Sequence, residues 1–492
     1  MSFRRGEAKL AAITEAIIAW EVDVHATRRA SAFSSATSSM TEVNAAALDV
    51  RGRLLRVFGL GFGLAVVIGG VIGSGIMRNP GVVAAGFPDA RLVLLVWLIG
   101  GLVVMIDAMP TVELGAAIPR AGGPYSLAAR AFGPLVGLIV GWADWLQLAI
   151  STGFITVAFG EYARRLGVLQ ALTPGQIAIG LVLVCGGLNW IGTRVGGASQ
   201  NIGSALKALG LIVLVAVLFL ARGHPAVAAA APAMPPVFSW IAATVAMRAI
   251  YGAYGGWHAA VYFSEEVENP ERNVSRATFS GILLVTALYV LVNAAVLHVL
   301  PIHVLAGSNL AAADAAKVVL GAGSGTIVTV LAMICVATIA NLQIMEHVRT
   351  NFAMARNGVL PPILARVSPG GTPRRSLVVV IVATVAIIAG ADLAKGQLYE
   401  ILLDLYAPMV MIVFLVLGLA ALRLRRLEPD LPRPWKMPFF PLPALMSIGI
   451  NIMLLIIFLK EDWKTGICSA LLLLVAVPLF FYGRTRWVPL GD

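Results

Sequence analysis

This sequence predicts an all-α integral membrane protein of twelve transmembrane helices, and three observations carry the prediction. Hydrophobic residues fill 59% of its 492 positions and charged residues only 12%, against about 25% charged in a soluble globular chain. Apolar runs of about 20 residues, the length that crosses a bilayer as a helix, recur from residue 57 to residue 483. Two of these runs are interrupted, at Gly73-Ser74-Gly75 and from Gly252 to Gly256.

Residues 1–55 are polar and rich in Ala and Ser, with a low-complexity stretch from Ser31 to Ser39. They read as a disordered cytoplasmic tail. No continuous apolar core precedes a small-residue cleavage site there, and Met40 is a candidate start, since nothing before it looks like part of the core. Helix 1 is expected at about 57–86, broken at 73–75, helix 2 at about 92–118 and helix 3 at about 132–163. Helices 4 and 5 follow at about 175–191 and 198–221, then a Pro/Ala-rich external linker from Gly223 to Pro236. Helix 6, at about 237–266, carries the second break. Helices 7 to 10 are expected near 277–300, 324–355, 376–391 and 398–422, and helices 11 and 12 near 439–459 and 465–483.

Five helices separate the two breaks. If each break falls in the first helix of a repeat, helices 1–5 and 6–10 form two halves of opposite topology, about 56–222 and 237–422. Together they make a 5+5 inverted repeat, with helices 11 and 12 (423–492) as an appendage. This rests on the position of the breaks, not on self-similarity of the sequence.

A net charge of +11 could suggest a nucleic-acid partner, but a chain this apolar has the lipid bilayer as its partner. The Lys/Arg excess lies in the N-terminal tail, from Arg356 to Arg375 and from Arg423 to Lys436. The positive-inside rule then puts both termini in the cytoplasm. Cys185, Cys335 and Cys468 lie inside apolar spans without CxxC or Cys/His spacing, so no disulfide or metal site is implied. The six histidines are scattered, and HExxH and GxSxG are absent, which argues against an enzyme or a cofactor. A channel would need repeated pore-lining elements or rings of charge.

Glycine costs roughly 1 kcal/mol against alanine in a helix interior, and in lipid the freed backbone groups also lack water. Paired breaks at corresponding positions of two halves therefore point to a transporter's binding site near the bilayer midplane.

Ile72-Gly-Ser-Gly-Ile76 resembles the first-helix motif of the amino acid–polyamine–organocation superfamily of permeases. So do Pro119-Arg-Ala-Gly-Gly-Pro-Tyr125, Ala131-Phe-Gly-Pro134 with Gly141-Trp142, and Tyr254-Gly-Gly-Trp257 followed by Glu265-Glu-Val-Glu-Asn-Pro-Glu-Arg272. Arg356-Asn-Gly-Val-Leu-Pro361 and Arg433-Pro-Trp-Lys-Met-Pro438 complete the series in the family's order. The resemblance is to L-type and related bacterial amino acid permeases. It implies sodium-independent movement of neutral amino acids across the cytoplasmic membrane by alternating access, as a proton symporter or an exchanger. A polyamine, organic-amine or cationic amino acid carrier is the alternative; it would use acidic residues more than main-chain amides.

An α-amino acid presents a carboxylate and an ammonium, and a broken helix offers N–H groups and carbonyls to match. The resemblance places the carboxylate on the amides around Gly73, Ser74 and Gly75, with the Ser74 hydroxyl helping. The ammonium would meet carbonyls near Val71 and Gly252, with Gly255 close by. Ile76, Ala253 and His258 complete the candidate substrate site. Close helix packing is the bland alternative for the glycines.

Lys207 lies within the apolar span of helix 5, where an ionisable group is functional by default. The resemblance implies that it replaces the sodium ion that relatives hold between helices 1 and 8. It would do so either as a fixed charged strut, which suits exchange or sodium-independent transport, or as a group that loses its proton during the cycle, which suits proton symport. Snorkelling to a helix end is the alternative. Arg78 and Arg248 flank the breaks and are expected at the outer entrance, attracting an anionic group or pairing with Glu400 or Asp404. Tyr251 and Tyr254 border the second break, and Tyr289 and Asn293, one turn apart in helix 7, match a family pattern and are expected to close the pocket. Asp107, Glu113, Asp144 and Glu346 are expected as partners of buried arginines or helix ends. Glu265, Glu266 and Arg272 end helix 6 as a gate or as caps.

The chain also departs from the family. Gly252 stands where L-type relatives commonly carry a gating aromatic, which implies a roomier pocket. His258 stands where they often have asparagine, as a pH-sensing or a structural histidine. No evident unpaired acid lies in the pocket, which favours neutral substrates. No partner subunit is implied, since no cysteine lies in an external loop to tether one.

Overall fold

The computed structural model describes residues 53–73, 75–87, 89–221, 240–308, 310–321, 323–393 and 397–489. The expected tail over residues 1–52, the linker from Gly223 to Pro236 and Ser74 lie outside the described residues, as do the side chains of Glu400 and Asp404.

The first expected helix is two pieces, α1 (Leu60–Val71) and α2 (Gly75–Gly86), bent by 48° at the Gly-Ser-Gly break. α3 (Ala90–Ala117) follows, then a short α4 (Pro124–Phe132) and the long α5 (Pro134–Arg165). Next come α6 (Pro174–Ile191), opened by a Thr173/Gln176 capping box with Pro174 at its first position, and α7 (Thr193–Leu220). The sixth segment is again divided, into α8 (Trp240–Ala253), a glycine-rich turn and a single turn of helix, α9 (Ala259–Tyr262). α10 (Pro270–Val299), α11 (Ile302–Ala306), α12 (Ala311–Leu320) and α13 (Ser324–Arg356) follow. The chain ends with α14 (Arg374–Leu393), α15 (Gln397–Leu427), α16 (Leu442–Glu461), α17 (Trp463–Leu474) and α18 (Ala476–Arg486).

Among the described residues, ten helices are long and apolar enough to cross a membrane, counting α17 and α18 as one, and the bent α1–α2 pair makes eleven. The α8–α9 segment, sixth in chain order, completes the twelve; its break leaves α8 only 14 residues long. No strand forms among the described residues, where the one isolated bridge joins Phe58 to Val267. α10 starts at Pro270, earlier than the apolar run, because proline at its first position opens the helix within a polar stretch. α11 and α12 were not expected; at 5 and 10 residues they are too short to span.

α7 shows how the membrane sets the pattern. Gln200, Ser204 and Lys207, on one helical face, are buried, while Leu206, Leu209, Ile212 and Val213 are exposed. Polar groups turn inward to partners and apolar ones outward, the arrangement lipid requires.

Helix pairing brings counterparts together: α3 packs on α10, α5 on α13, α6 on α14, and the two broken segments on each other. These are the second and seventh, third and eighth, fourth and ninth, and first and sixth segments. The broken segments run in opposite directions. Before α1, Phe58 N–H donates to Glu266 O at 3.1 Å and Phe58 O accepts from Glu268 N–H at 2.8 Å, so the start of one segment meets the end of the other. Farther along, Asn79 Nδ2 of α2 donates to Ala249 O of α8 at 2.7 Å.

Helices expected as an appendage are tied into this body. Trp142 Nε1 donates to Leu472 O at 2.9 Å, and Ser447 and Asn451 of α16 bind the Asp107 carboxylate of α3 at 2.6 and 3.0 Å.

Candidate substrate site at two facing helix breaks

α1 stops at Val71 because Ile72 leaves the helical region, with ψ at 98°. Its last carbonyls would be orphaned in an apolar interior, and donors reach several of them. Ile72 N–H donates to Ile68 O at 2.9 Å. Lys207 Nζ, fully buried, donates to Gly69 O and, at 2.8 Å, to Ile72 O. Ser204, one turn earlier on α7, donates to Ala65 O at 2.7 Å. Lys207 thus places its amino group at the negative end of α1, where the helix dipole favours a cation. Snorkelling does not describe a side chain held this way.

The second break is built similarly. Gly255 N–H donates to Gly252 O at 3.1 Å, closing the end of α8, and Gly256 then takes φ +96°, which a side chain resists. The two breaks touch. A β-carbon on Gly70 would lie 2.7 Å from Gly256 O, and one on Gly75 would lie 3.1 Å from the Ala253 Cα. Glycine is needed here for close approach, with space left beside it: a β-carbon on Gly252 would meet nothing within 4 Å.

Tyr289 of α10 joins the breaks. Its hydroxyl lies 2.8 Å from Val71 O and 3.1 Å from Ala253 O, so one O–H is shared between the ends of two half-helices. The Gly73 amide is turned to the same oxygen. Tyr289 packs edge-on against Trp97, with ring centroids 5.6 Å apart, and Asn293 Nδ2 donates to its carbonyl at 2.8 Å.

The structure thus brings Val71, Gly73, Gly75, Ala253, Gly255, Tyr289 and Lys207 around one junction. The Val71 and Gly252 carbonyls, expected to receive an ammonium, already accept from Tyr289 and Gly255; each keeps a second lone pair. The amides that open α2, from Gly75 and Ile76 onward, lie at the junction, where the positive end of a helix favours an anion. Ser74 lies outside the described residues.

The other expected residues divide. Tyr251 donates to Asp107 at 2.6 Å and Tyr254 to Trp97 O at 3.0 Å, so both hydroxyls are anchored in the core. His258 sits between Trp257, Phe414 and Tyr262, its Nδ1 buried without a partner among the described residues. Arg78 is exposed at the start of α2, near enough to Tyr162 for its charge to act there. Arg248 lies in α8, just before the second break, and is engaged with the protein.

Beyond the second break the quoted motifs converge. Glu265 receives both forks of Arg356 at 2.8 and 2.9 Å and the Ala121 amide at 2.8 Å. Asn357 donates to the Tyr125 hydroxyl at 3.0 Å, and burial pushes that phenol up to about 12. Glu266, fully buried, receives Arg349 at 2.7 and 2.9 Å. Glu113 does meet arginines, Arg425 at 2.6 Å and Arg433 at 3.4 Å. Asp107 and Asp144 instead take hydroxyl and amide donors. Sequence reading did not single out Trp97, Asn79 or Arg349. An arginine within the apolar span of α13 was the available signal for the last.

These features can be set beside known proteins. A family model described as Amino acid permease matches residues 62–484. The chain is 28% identical over 445 residues to the serine/threonine exchanger SteT of Bacillus subtilis, spanning 88% of this chain and 98% of that protein. It is 30% identical over 447 residues to the human Asc-type amino acid transporter 1, covering 87% of this chain and 82% of the relative. The human large neutral amino acids transporter small subunit 2 is 29% identical over 451 residues, at 87% and 81% coverage. With a single family model spanning most of its length, the chain belongs to the amino acid permease family, whose members are transporters and not enzymes.

Proposed function

We propose that this protein is a sodium-independent permease for neutral amino acids, working by alternating access in the cytoplasmic membrane with both termini inside. The observation that carries the reading is the junction of the two helix breaks. It offers helix-start amides for a carboxylate and helix-end carbonyls for an ammonium, with open space beside Gly252 for a side chain. The relatives named for serine/threonine exchange, Asc-type transport and large neutral amino acids support that substrate class.

Sodium independence rests on Lys207, whose ammonium stands against the Gly69 and Ile72 carbonyls, where a bound cation would otherwise be required. The cytoplasmic orientation rests on the distribution of Lys and Arg. Residues 56–222 and 237–422 are the two halves of the repeat. The reading includes no cofactor and no partner subunit.

The test is counterflow in sodium-free proteoliposomes preloaded with single amino acids or with a polyamine. Labelled substrate is expected to accumulate against a few neutral amino acids. Accumulation driven only by polyamines or cationic amino acids, or a strict need for sodium, would overturn the reading.

A further inference from the structure

Asp144 of α5 and Glu346 of α13 are both buried. Asp144 accepts from Tyr262 at 2.5 Å, Gln147 at 3.1 Å and Thr350 at 3.2 Å. Thr350 lies one turn from Glu346, which brings the Glu346 carboxyl close enough to act on the charge of Asp144. Among the described residues nothing donates a hydrogen bond to the Glu346 carboxyl, although its side chain is nine-tenths buried. The cation that acts on it is Arg349, and both forks of that guanidinium are taken by Glu266.

Two carboxyls, Glu266 and Glu346, therefore share one guanidinium inside a membrane-spanning bundle, and a third, Asp144, stands beside Glu346 with only hydroxyl and amide donors. Uncompensated charge is costly there, and two neighbouring carboxyls meet the problem by holding a proton between them. Other titratable groups that face the pair are Tyr262, and behind it His258, from the sixth segment, and Tyr406 from α15. On α13 itself His347 turns to Trp145 O at 2.7 Å. The remaining helices that pack on α5 and α13 bring no titratable side chain to either carboxyl among the described residues. Lys207 meets α13 near Cys335, about 16 Å along the helix from Glu346.

We propose that Asp144 and Glu346 form a proton-binding site coupled to transport, and that Arg349 releases the proton by exchanging Glu266 for Glu346. Tyr262 and Glu266 both belong to the end of the sixth segment, whereas Asp144, Glu346 and Arg349 belong to α5 and α13. Separation of that segment from the α5–α13 pair breaks Tyr262–Asp144 and Glu266–Arg349 together. Arg349, three residues from Glu346 on the same helix, then comes within reach of it. The ionised carboxylate is favoured and its proton leaves to water. Return of Glu266 withdraws the guanidinium, and the pair binds a proton again. The proposal rests on the permease reading and resolves it toward proton symport.

The experiment uses the full chain in sodium-free proteoliposomes with the membrane potential clamped and a pH dye inside. A one-proton symporter of a neutral substrate accumulates it about tenfold for each inward pH unit. The wild type is expected to reach that level and to acidify the lumen when substrate is added. Glu346→Gln is expected to lose both while keeping counterflow, which needs no net proton movement; Asp144→Asn should show the same split. Wild-type counterflow without substrate-evoked acidification would overturn the proton site and leave the permease reading standing. So would Glu346→Gln vesicles that still accumulate substrate tenfold. No counterflow with any amino acid would overturn both.

Discussion

Gly70 and Gly256 touch: a β-carbon on Gly256 would lie 2.6 Å from both the carbonyl carbon and the oxygen of Gly70. One contact fixes how closely the two interrupted segments approach, and Gly256 also holds φ +96°. Gly256→Ala should therefore combine a clash with backbone strain of about 1–3 kcal/mol. A lower unfolding temperature in detergent and loss of counterflow are expected. Gly252→Ala, which meets nothing within 4 Å, should fold normally and alter only which substrates are carried. Equal stability of the two variants would show that the contact does not matter.

Tyr289→Phe removes the hydroxyl that lies between Val71 O and Ala253 O. Two buried carbonyls lose a shared donor, at a cost of about 1–3 kcal/mol. Thermal unfolding of the substrate-free variant should fall accordingly. Substrate, supplying its own donor at those carbonyls, should raise the variant's midpoint by more than it raises that of the wild type. An equal shift in both would mean that the ammonium binds elsewhere.

Lys207→Met keeps an unbranched chain but leaves the Gly69 and Ile72 carbonyls without the ammonium. Loss of a charged hydrogen-bond donor worth about 1.5–3 kcal/mol should reduce counterflow by roughly tenfold or more. Leu206→Met, on the exposed face of the same helix, is the control and should be silent. Near-normal counterflow in Lys207→Met would remove the lysine from the mechanism.

How much of this was legible in the sequence follows from what kinds of signal carry each part. Helix existence, order and the two breaks could be read because apolar length and glycine are local properties. The short α11 and α12 could not, since neither is long enough to leave a membrane-length run. Lys207 announced itself as a charge in an apolar span, but its partners are main-chain carbonyls, which no residue type reveals. The shared hydroxyl of Tyr289 and the Gly70–Gly256 contact depend on two segments about 190 residues apart meeting in register, as in any long-range packing. Arg349 gives the same kind of signal as Lys207, an ionisable group within an apolar span, but its partner Glu266 lies 83 residues away in another segment.

Asp107 offers a prediction about the last two helices. Its carboxylate binds Tyr251 at 2.6 Å together with Ser447 and Asn451 of α16. Asn451→Leu should destabilise the protein by about 1–3 kcal/mol by leaving a buried carboxylate short of a donor. Because Tyr251 borders the second break, substrate affinity should change as well. A change in stability alone would mean that α16 only supports the fold.

Outside the membrane-spanning segments, Arg130 holds Glu428 below its ordinary value near 4.5 through hydrogen bonds at 2.8 and 3.0 Å. A depressed folded value contributes stability above that ordinary range and loses it as pH falls through the lower folded value. Both side chains are solvent-accessible, so the contribution is at most a few tenths of a kcal/mol and fades with salt. Glu428→Gln should flatten the acid limb of the stability profile by that amount at low ionic strength and leave it unchanged at about 1 M salt.

The hydroxyl of Tyr289 has one hydrogen for two acceptors, and that ratio bears on the idle carrier. With no cargo aboard, the ends of both half-helices are already tied together from within, so the vacant protein can close without leaving bare carbonyls in its interior. Arriving cargo meets carbonyls that each keep a second lone pair beside the shared bond, and is admitted at little expense. If the proton symport proposed above holds, this is the step that lets the carrier make its return stroke empty, which an obligatory swap of one passenger for another would forbid.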